Sequence, residues 1–164
     1  IIEATTKAFQ EGRNILILSD RVSHCKYLQK KIEFHILDTT NELVEIGLYI
    51  GGQKQTALEL ANEKRIITAT YTMCAEGYDN PALNTVLFAT SKRDIRQAAG
   101  RVLGLRSGGG FTPLIIDIVD TWGAARNQAA SRLKWYRDSG FDIGIKKNET
   151  PPFVQKKITS FQLD

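Results

Sequence analysis

The 164-residue sequence has no apolar run near the roughly 20 residues that a helical bilayer span requires. It therefore predicts no membrane-spanning helix and no membrane partner. Two cysteines and two histidines are present, with no CxxC pair and no Cys/His cluster, so spacing supports neither a disulfide framework nor a metal site. Cys25 and Cys74 sit inside apolar patterns and read as buried free thiols of an intracellular, reducing compartment. His24 and His35 have no convincing Ser, Cys or carboxylate partner, so a surface or packing role is expected of them. The G-x-x-x-x-G-K-[ST] phosphate loop is also missing. Ser107-Gly108-Gly109-Gly110 lacks the lysine and precedes a strand instead of a helix. Without that loop, Asp117 in Leu114-Ile-Ile-Asp117 and the nearby Asp120 are expected to cap a strand end, not to hold Mg²⁺. There is no signal-like start, and Ile1 is not an initiator, so the sequence is expected to be a fragment.

What is present fits one globular domain, with 42% hydrophobic and 24% charged residues. Basic residues exceed acidic ones, 22 to 18, which permits a polyanionic partner without demanding one. Residues 91–106 concentrate that excess: Lys92, Arg93, Arg96, Arg101 and Arg106 stand against Asp94 alone.

Short apolar runs at 15–18, 46–50, 66–69, 86–89 and 114–119 read as buried strands. A helical pattern follows four of the five, through Val22, Cys25 and Leu28, then Ala57, Leu58 and Ala61, then Ile95, Ala99 and Val102, and last Trp122, Ala125, Ala129, Leu133 and Tyr136. A lead-in helix covers residues 1–11. Strands apolar on both faces, alternating with amphipathic helices, predict an α/β domain whose mostly parallel central sheet carries helices on both faces. That domain is assigned to residues 1–145. Residues 146–164 read as a polar tail or strap, with Pro151-Pro152 blocking a helix.

In such sheets ligands gather at the carboxyl ends of the strands, and so does the polar punctuation here. Gly51-Gly52-Gln53-Lys54 joins a strand to a helix. Close backbone approach, fresh helix N–H groups and a lysine suit a phosphate, although many purely structural turns also use glycine. Residues 66–79 run from a strand into a loop with Thr70 at its exit, Gly77 at an unusual turn and Asp79 as an anchor, which a turn and cap would equally explain. Ser91 to Arg106 reads as a helix capped by Ser91 and Asp94. Ile95, Ala98, Ala99 and Val102 form its packing face, and Arg93, Gln97, Gly100 and Arg101 its polar one. A solvated basic face is the ordinary meaning of such a pattern.

The order Gln97-x-x-Gly100-Arg101 resembles motif VI of the superfamily 2 helicases and translocases. Residues 66–79 resemble their motif V, and Ile15 to Arg21 their motif IV. The resemblance covers residues 12–138 and is similar to helicases of large DNA viruses and phages, the poxviral transcript-release type included. It implies the second of two RecA-like domains, partnered by an N-terminal RecA-like domain of the same polypeptide. ATP and Mg²⁺ would then be held by that other domain. Gln97, Gly100 and Arg101 would face the nucleotide, and Arg101 would serve catalysis. Gly77 and Asp79 would couple nucleotide to track. Ser19, Arg21, Gly51, Gly52, Gln53, Lys54 and Thr70 would lie along the phosphate backbone of DNA or RNA.

One departure concerns the second arginine of the family, the finger that offsets charge on the γ-phosphate. Its place is taken by Gly104, with Arg106 two residues later as a candidate replacement. The resemblance implies an ATP-dependent helicase that is inactive as an isolated fragment, found, if viral, in the host cytoplasm or the virion. The Gly104 departure favours the alternative, a non-catalytic RecA-like module that binds nucleic acid or protein.

Overall fold

Five runs of apolar residues become five parallel strands because most side chains in them find a dry face, those of β1, β3, β4 and β5 throughout. In a computed structural model, residues 1–75, 78–103, 110–119, 122–145 and 153–157 are described, the side chains of 101–103, 145 and 153–157 excepted. The chain runs α1 (Ile2–Gln10), β1 (Ile15–Ser19), α2 (Val22–Thr40), β2 (Gly47–Tyr49), α3 (Gln55–Asn62), β3 (Ile66–Thr70), α4 (Tyr71–Ala75) and β4 (Thr85–Phe88). It continues through α5 (Arg96–Leu103), β5 (Leu114–Ile118), α6 (Gly123–Asp138), β6 (Asp142–Ile145) and β7 (Phe153–Lys157). The sheet order is β2-β3-β1-β4-β5-β7-β6. Strands β1 to β5 pair in parallel, and β7 runs antiparallel to both of its neighbours. Residues 153–157, within the expected strap, thus supply a strand between β5 and β6.

Alternation along each strand divides the core in two. Leu16 and Leu18 of β1, Ile67 and Ala69 of β3, and Val86 and Phe88 of β4 face α4, α5 and α6. Ile15, Ile17, Ile66 and Leu87 face α1 and α2, meeting Phe9, Leu28, Ile32 and Ile36. Side chains of this size contribute about 1.5–3 kcal/mol each when fully buried. The four of β1, all at 0% exposure, therefore outweigh any surface ion pair, worth about 0–1 kcal/mol. Glycine is required once by close approach: a Cβ on Gly47 would stand 2.2 Å from the carbonyl oxygen of Ala61, so α3 can lie directly on β2.

Two expectations need correction. Helix α5 begins at Arg96, not Ser91. Ser91 is drawn instead to α6, accepting a bond from Arg132 Nη1 at 3.3 Å. Asp94 does the capping, its Oδ1 accepting the Arg96 N–H at 3.1 Å. In α6, Trp122 is 84% exposed and takes no part in the core, while Arg132 occupies a buried position on the inner face beside Tyr136.

Candidate nucleotide and nucleic-acid interface

Parallel pairing brings the carboxyl ends of β1, β3 and β4 to one edge, where Ser19 stands opposite Thr70 in register. Thr90 ties this edge together. Its hydroxyl accepts the Asp20 N–H at 2.9 Å, and its carbonyl accepts the Tyr71 hydroxyl at 3.0 Å. The loops after β1, β3 and β4 are thereby held as one body. Burial, reinforced by the charges of Asp20 and Asp117, pushes the Tyr71 phenol well above its ordinary range, so it stays a donor. Lys92 lies over its ring, Nζ to centroid 4.4 Å.

Gln97 projects from the first turn of α5 into solvent, and its Nε2 donates to the carbonyl of Ala75 at 3.5 Å. Between α4 and α5 lies a cleft of about 350 Å³ whose lining includes Tyr71, Lys92, Asp94, Arg96 and Gln97. Hydrogen bonds from the Arg96 side chain, then from its backbone, hold the Asp94 carboxyl at about 2. Lys92, Arg96 and Gln97 offer donors suited to phosphate oxygens. A lone carboxylate already paired with Arg96 does not make a divalent-cation site, and no cluster of metal-binding side chains occurs among the described residues. Gly100 leaves the surface open, since an added Cβ would meet nothing within 4 Å. The backbone of Arg101 belongs to α5, but its side chain, like the whole of Gly77, Gly104 and Arg106, lies outside the described residues.

Of the residues expected along a phosphate backbone, Arg21, Gly51, Gly52 and Lys54 are exposed, and Thr70 is 7% exposed at the end of β3. Gln53 is engaged in closing its own turn, accepting the Ile50 N–H at 3.1 Å, while Gly52 adopts φ +81°. Lys54 is the N-cap residue of α3 and makes no side-chain cap bond. Asp79 is exposed, and its carbonyl accepts Asn62 Nδ2 at 3.2 Å, fixing the loop after α4 to the end of α3. Ser19 is fully buried, so its hydroxyl cannot itself reach a phosphate. It pairs with His24 Nδ1 at 2.9 Å, which corrects the expectation that His24 lacks a serine partner.

The sequence reading missed one polar centre. Asp117 does not cap a strand end: it is 1% exposed and accepts two bonds from Arg132 and one from Tyr136. Its signals were a carboxylate inside the apolar run Leu114–Ile118 and an arginine four residues before Tyr136 on the facing helix. Asp120 lies outside the described residues.

No protein-family model matches the chain. Its fold is nevertheless a RecA-like α/β one with solved counterparts. It superposes on the C-terminal part of the Fun30 ATPase domain with a TM-score of 0.56 and 16% identity, covering 78% of this chain and 43% of that one. With T4 UvsW the TM-score is 0.53 at 21% identity, covering 84% and 31%. A Podospora anserina methyltransferase gives 0.52 at 12% identity, covering 94% and 75%. A parallel sheet of this kind is thus shared more widely, and function has to be argued from residues.

In sequence, the chain is similar to proteins of large DNA viruses that carry helicase names. It is 32% identical over 144 residues to the "Putative ATP-dependent RNA helicase" of Acanthamoeba polyphaga mimivirus, 87% of this chain and 27% of that protein. A protein of the same name from African swine fever virus is 29% identical over 100 residues, 60% of this chain and 20% of its own length. The chain therefore spans about a quarter of the relatives it matches. No helix among the described residues is long and apolar enough to cross a membrane.

Proposed function

We propose that this chain is the second RecA-like half of an ATP-dependent nucleic-acid helicase or translocase. The first half would bind ATP with Mg²⁺. This half would bring Arg101 and Gln97, with Arg106 in place of the finger lost at Gly104, to the phosphates. Phosphoryl transfer depends chiefly on positioned positive charge, and such arginines are worth about 10³–10⁵ in rate. Thr70, Arg21, Gly51, Gly52 and Lys54 would hold the DNA or RNA backbone, with Ser19 and Gln53 shaping the turns that present them.

The observation that carries this reading is the bond from Gln97 to Ala75. Together with the packing of α4 on α5, it links the helix that bears the Gln-x-x-Gly-Arg sequence to the segment that begins directly after Thr70. A displacement at the nucleotide would therefore move the backbone grip as one body, and domain closure around ATP would step the strand.

The test is Arg101→Ala in the full-length protein. Hydrolysis stimulated by nucleic acid should be lost while strand binding persists; unchanged hydrolysis would refute the assignment. The Gly104 substitution favours a second reading, a module that grips nucleic acid or protein without assisting hydrolysis. It predicts that Arg101→Ala and Arg106→Ala both leave turnover intact.

A further inference from the structure

Tyr27 stands on the second turn of α2 with 54% of its surface exposed, as Phe34, at 68%, is further along the same helix. It borders an open cleft of about 620 Å³, lined also by Asp20, Arg21, Ser23, His24 and Thr90, between the β1–α2 turn and the loop after β4. This is the carboxyl edge of the sheet, on the flank away from the Gln97 cleft. Arg21 is exposed on the lining, and Lys31 Nζ, outside it, stands over the Tyr27 ring at 5.8 Å from the centroid. Asp20 is the one carboxylate in the lining.

The state of His24 follows from Ser19. The Ser19 hydroxyl is buried and accepts the Arg21 N–H at 3.3 Å, so its own proton needs an acceptor. His24 Nδ1, at 2.9 Å, is the acceptor among its described bonds. With Ser19 Oγ donating to Nδ1, the ring hydrogen resides on Nε2. Partial burial, then the nearby Arg21 charge, lower the pKa of the imidazole and favour the neutral ring. The half-buried ring thus holds a fixed N–H donor beside an arginine and an exposed aromatic face.

We propose that this cleft takes one nucleotide unit of a single strand, its base stacked on Tyr27 and its phosphate met by Arg21 and the Nε2–H of His24. Ser19 then acts as a positioning residue for His24. The inference rests on the nucleic-acid reading above and extends it from backbone to base. Stacking tolerates any base, because each has a π-face. The track would accordingly be read as unpaired nucleotides, not as a bare phosphate chain.

The experiment compares full-length wild type, Tyr27→Ala and Tyr27→Trp on a fluorescent single-stranded oligonucleotide, as DNA and as RNA. The same strand with abasic sites along its length is measured in parallel. Loss of one base stack predicts roughly 5- to 150-fold weaker binding of the normal strand by Tyr27→Ala. Tyr27→Trp should restore it, and the abasic strand should bind wild type and Tyr27→Ala alike. Equal affinity of wild type and Tyr27→Ala for the normal strand overturns the subsite and leaves the helicase reading standing. A wild type that binds neither strand overturns both. Weakening of normal and abasic strands together would assign Tyr27 to the fold and also reject the stack, with urea unfolding of the variant as the check.

Discussion

Arg132 and Asp117 meet edge to edge inside the domain, Nε to Oδ2 at 2.7 Å and Nη2 to Oδ1 at 2.8 Å, with both side chains almost completely buried. The remaining arm of the guanidinium reaches outward: Nη1 donates to the Lys92 carbonyl at 2.8 Å and to Ser91 Oγ at 3.3 Å. One arginine on α6 thus fixes β5 and the segment that leads into α5. Desolvating two charges offsets most of their attraction, so the pair is weak evidence for stability and better evidence for a fixed geometry. That geometry sets where α5 starts and hence where Gln97 emerges.

Arg132→Met should leave a buried carboxylate without its partner and cost about 3–5 kcal/mol of unfolding free energy. Urea denaturation reads the loss. Replacing both partners, Asp117→Leu with Arg132→Met, removes the unpaired charge and should recover most of it. A single variant within experimental error of wild type would show that the pair does not hold α6 to β5.

Two glycines should answer substitution in opposite ways. At Gly47 an added methyl meets the backbone of Ala61 at 2.2 Å, where no rotamer can relieve it. Gly47→Ala should destabilise by about 1–3 kcal/mol or more, read from the thermal midpoint. At Gly100, in mid-helix with open space around it, alanine should stabilise by about 0.5–1 kcal/mol. If the open surface is where the nucleotide approaches, the more stable Gly100→Ala should hydrolyse ATP more slowly in the full-length protein. A variant that is both more stable and fully active would separate Gly100 from the nucleotide.

Asp94 should titrate near 2, well below the ordinary 3.8, because Arg96 bonds its charged form through side chain and backbone. A depressed carboxylate stabilises the folded state above the unfolded value and loses that contribution as pH falls. The start of α5 should accordingly loosen between about pH 4 and pH 2. Carboxyl-carbon NMR checks the midpoint, and Arg96→Ala should return it towards 3.8. A wild-type midpoint already at 3.8 would show that the Arg96 bonds do not persist in solution.

Four of the five parallel strands were legible because β1, β3, β4 and β5 are apolar on both faces and bounded by turn residues, a pattern a covered sheet explains. Cys25 was legible for the same reason: it lies at 0% exposure, and burial pushes its thiol up to about 11. Periodicity failed where polar groups pack with each other. Ser91 looked like a cap because the spacing to Asp94 is right, yet Arg132, 41 residues away, claims its hydroxyl. Asp117 looked like a strand end because its partners lie on α6, beyond any local window. The Ser19–His24 bond is only five residues long in sequence but joins a strand to a helix across a turn. Neither the period of two nor that of 3.6 connects such a pair.

Grip and chemistry should separate cleanly if the nucleotide and the track are held at different places on this half. Lys54, exposed at the start of α3, would meet only phosphate. In the full-length protein Lys54→Ala should weaken binding uniformly across sequences and flatten the dependence of log K on log salt by about 0.7–0.9 per lost contact. Its hydrolysis at saturating nucleic acid should be unchanged. Arg101→Ala should do the reverse, preserving affinity and salt slope while lowering turnover by about 10³-fold or more. Filter binding across a salt series and steady-state phosphate release on the same preparations provide both readouts. Should Lys54→Ala abolish turnover at saturation, or Arg101→Ala flatten the salt slope, the two functions would share residues, and the division drawn between the α3 turn and α5 would be wrong.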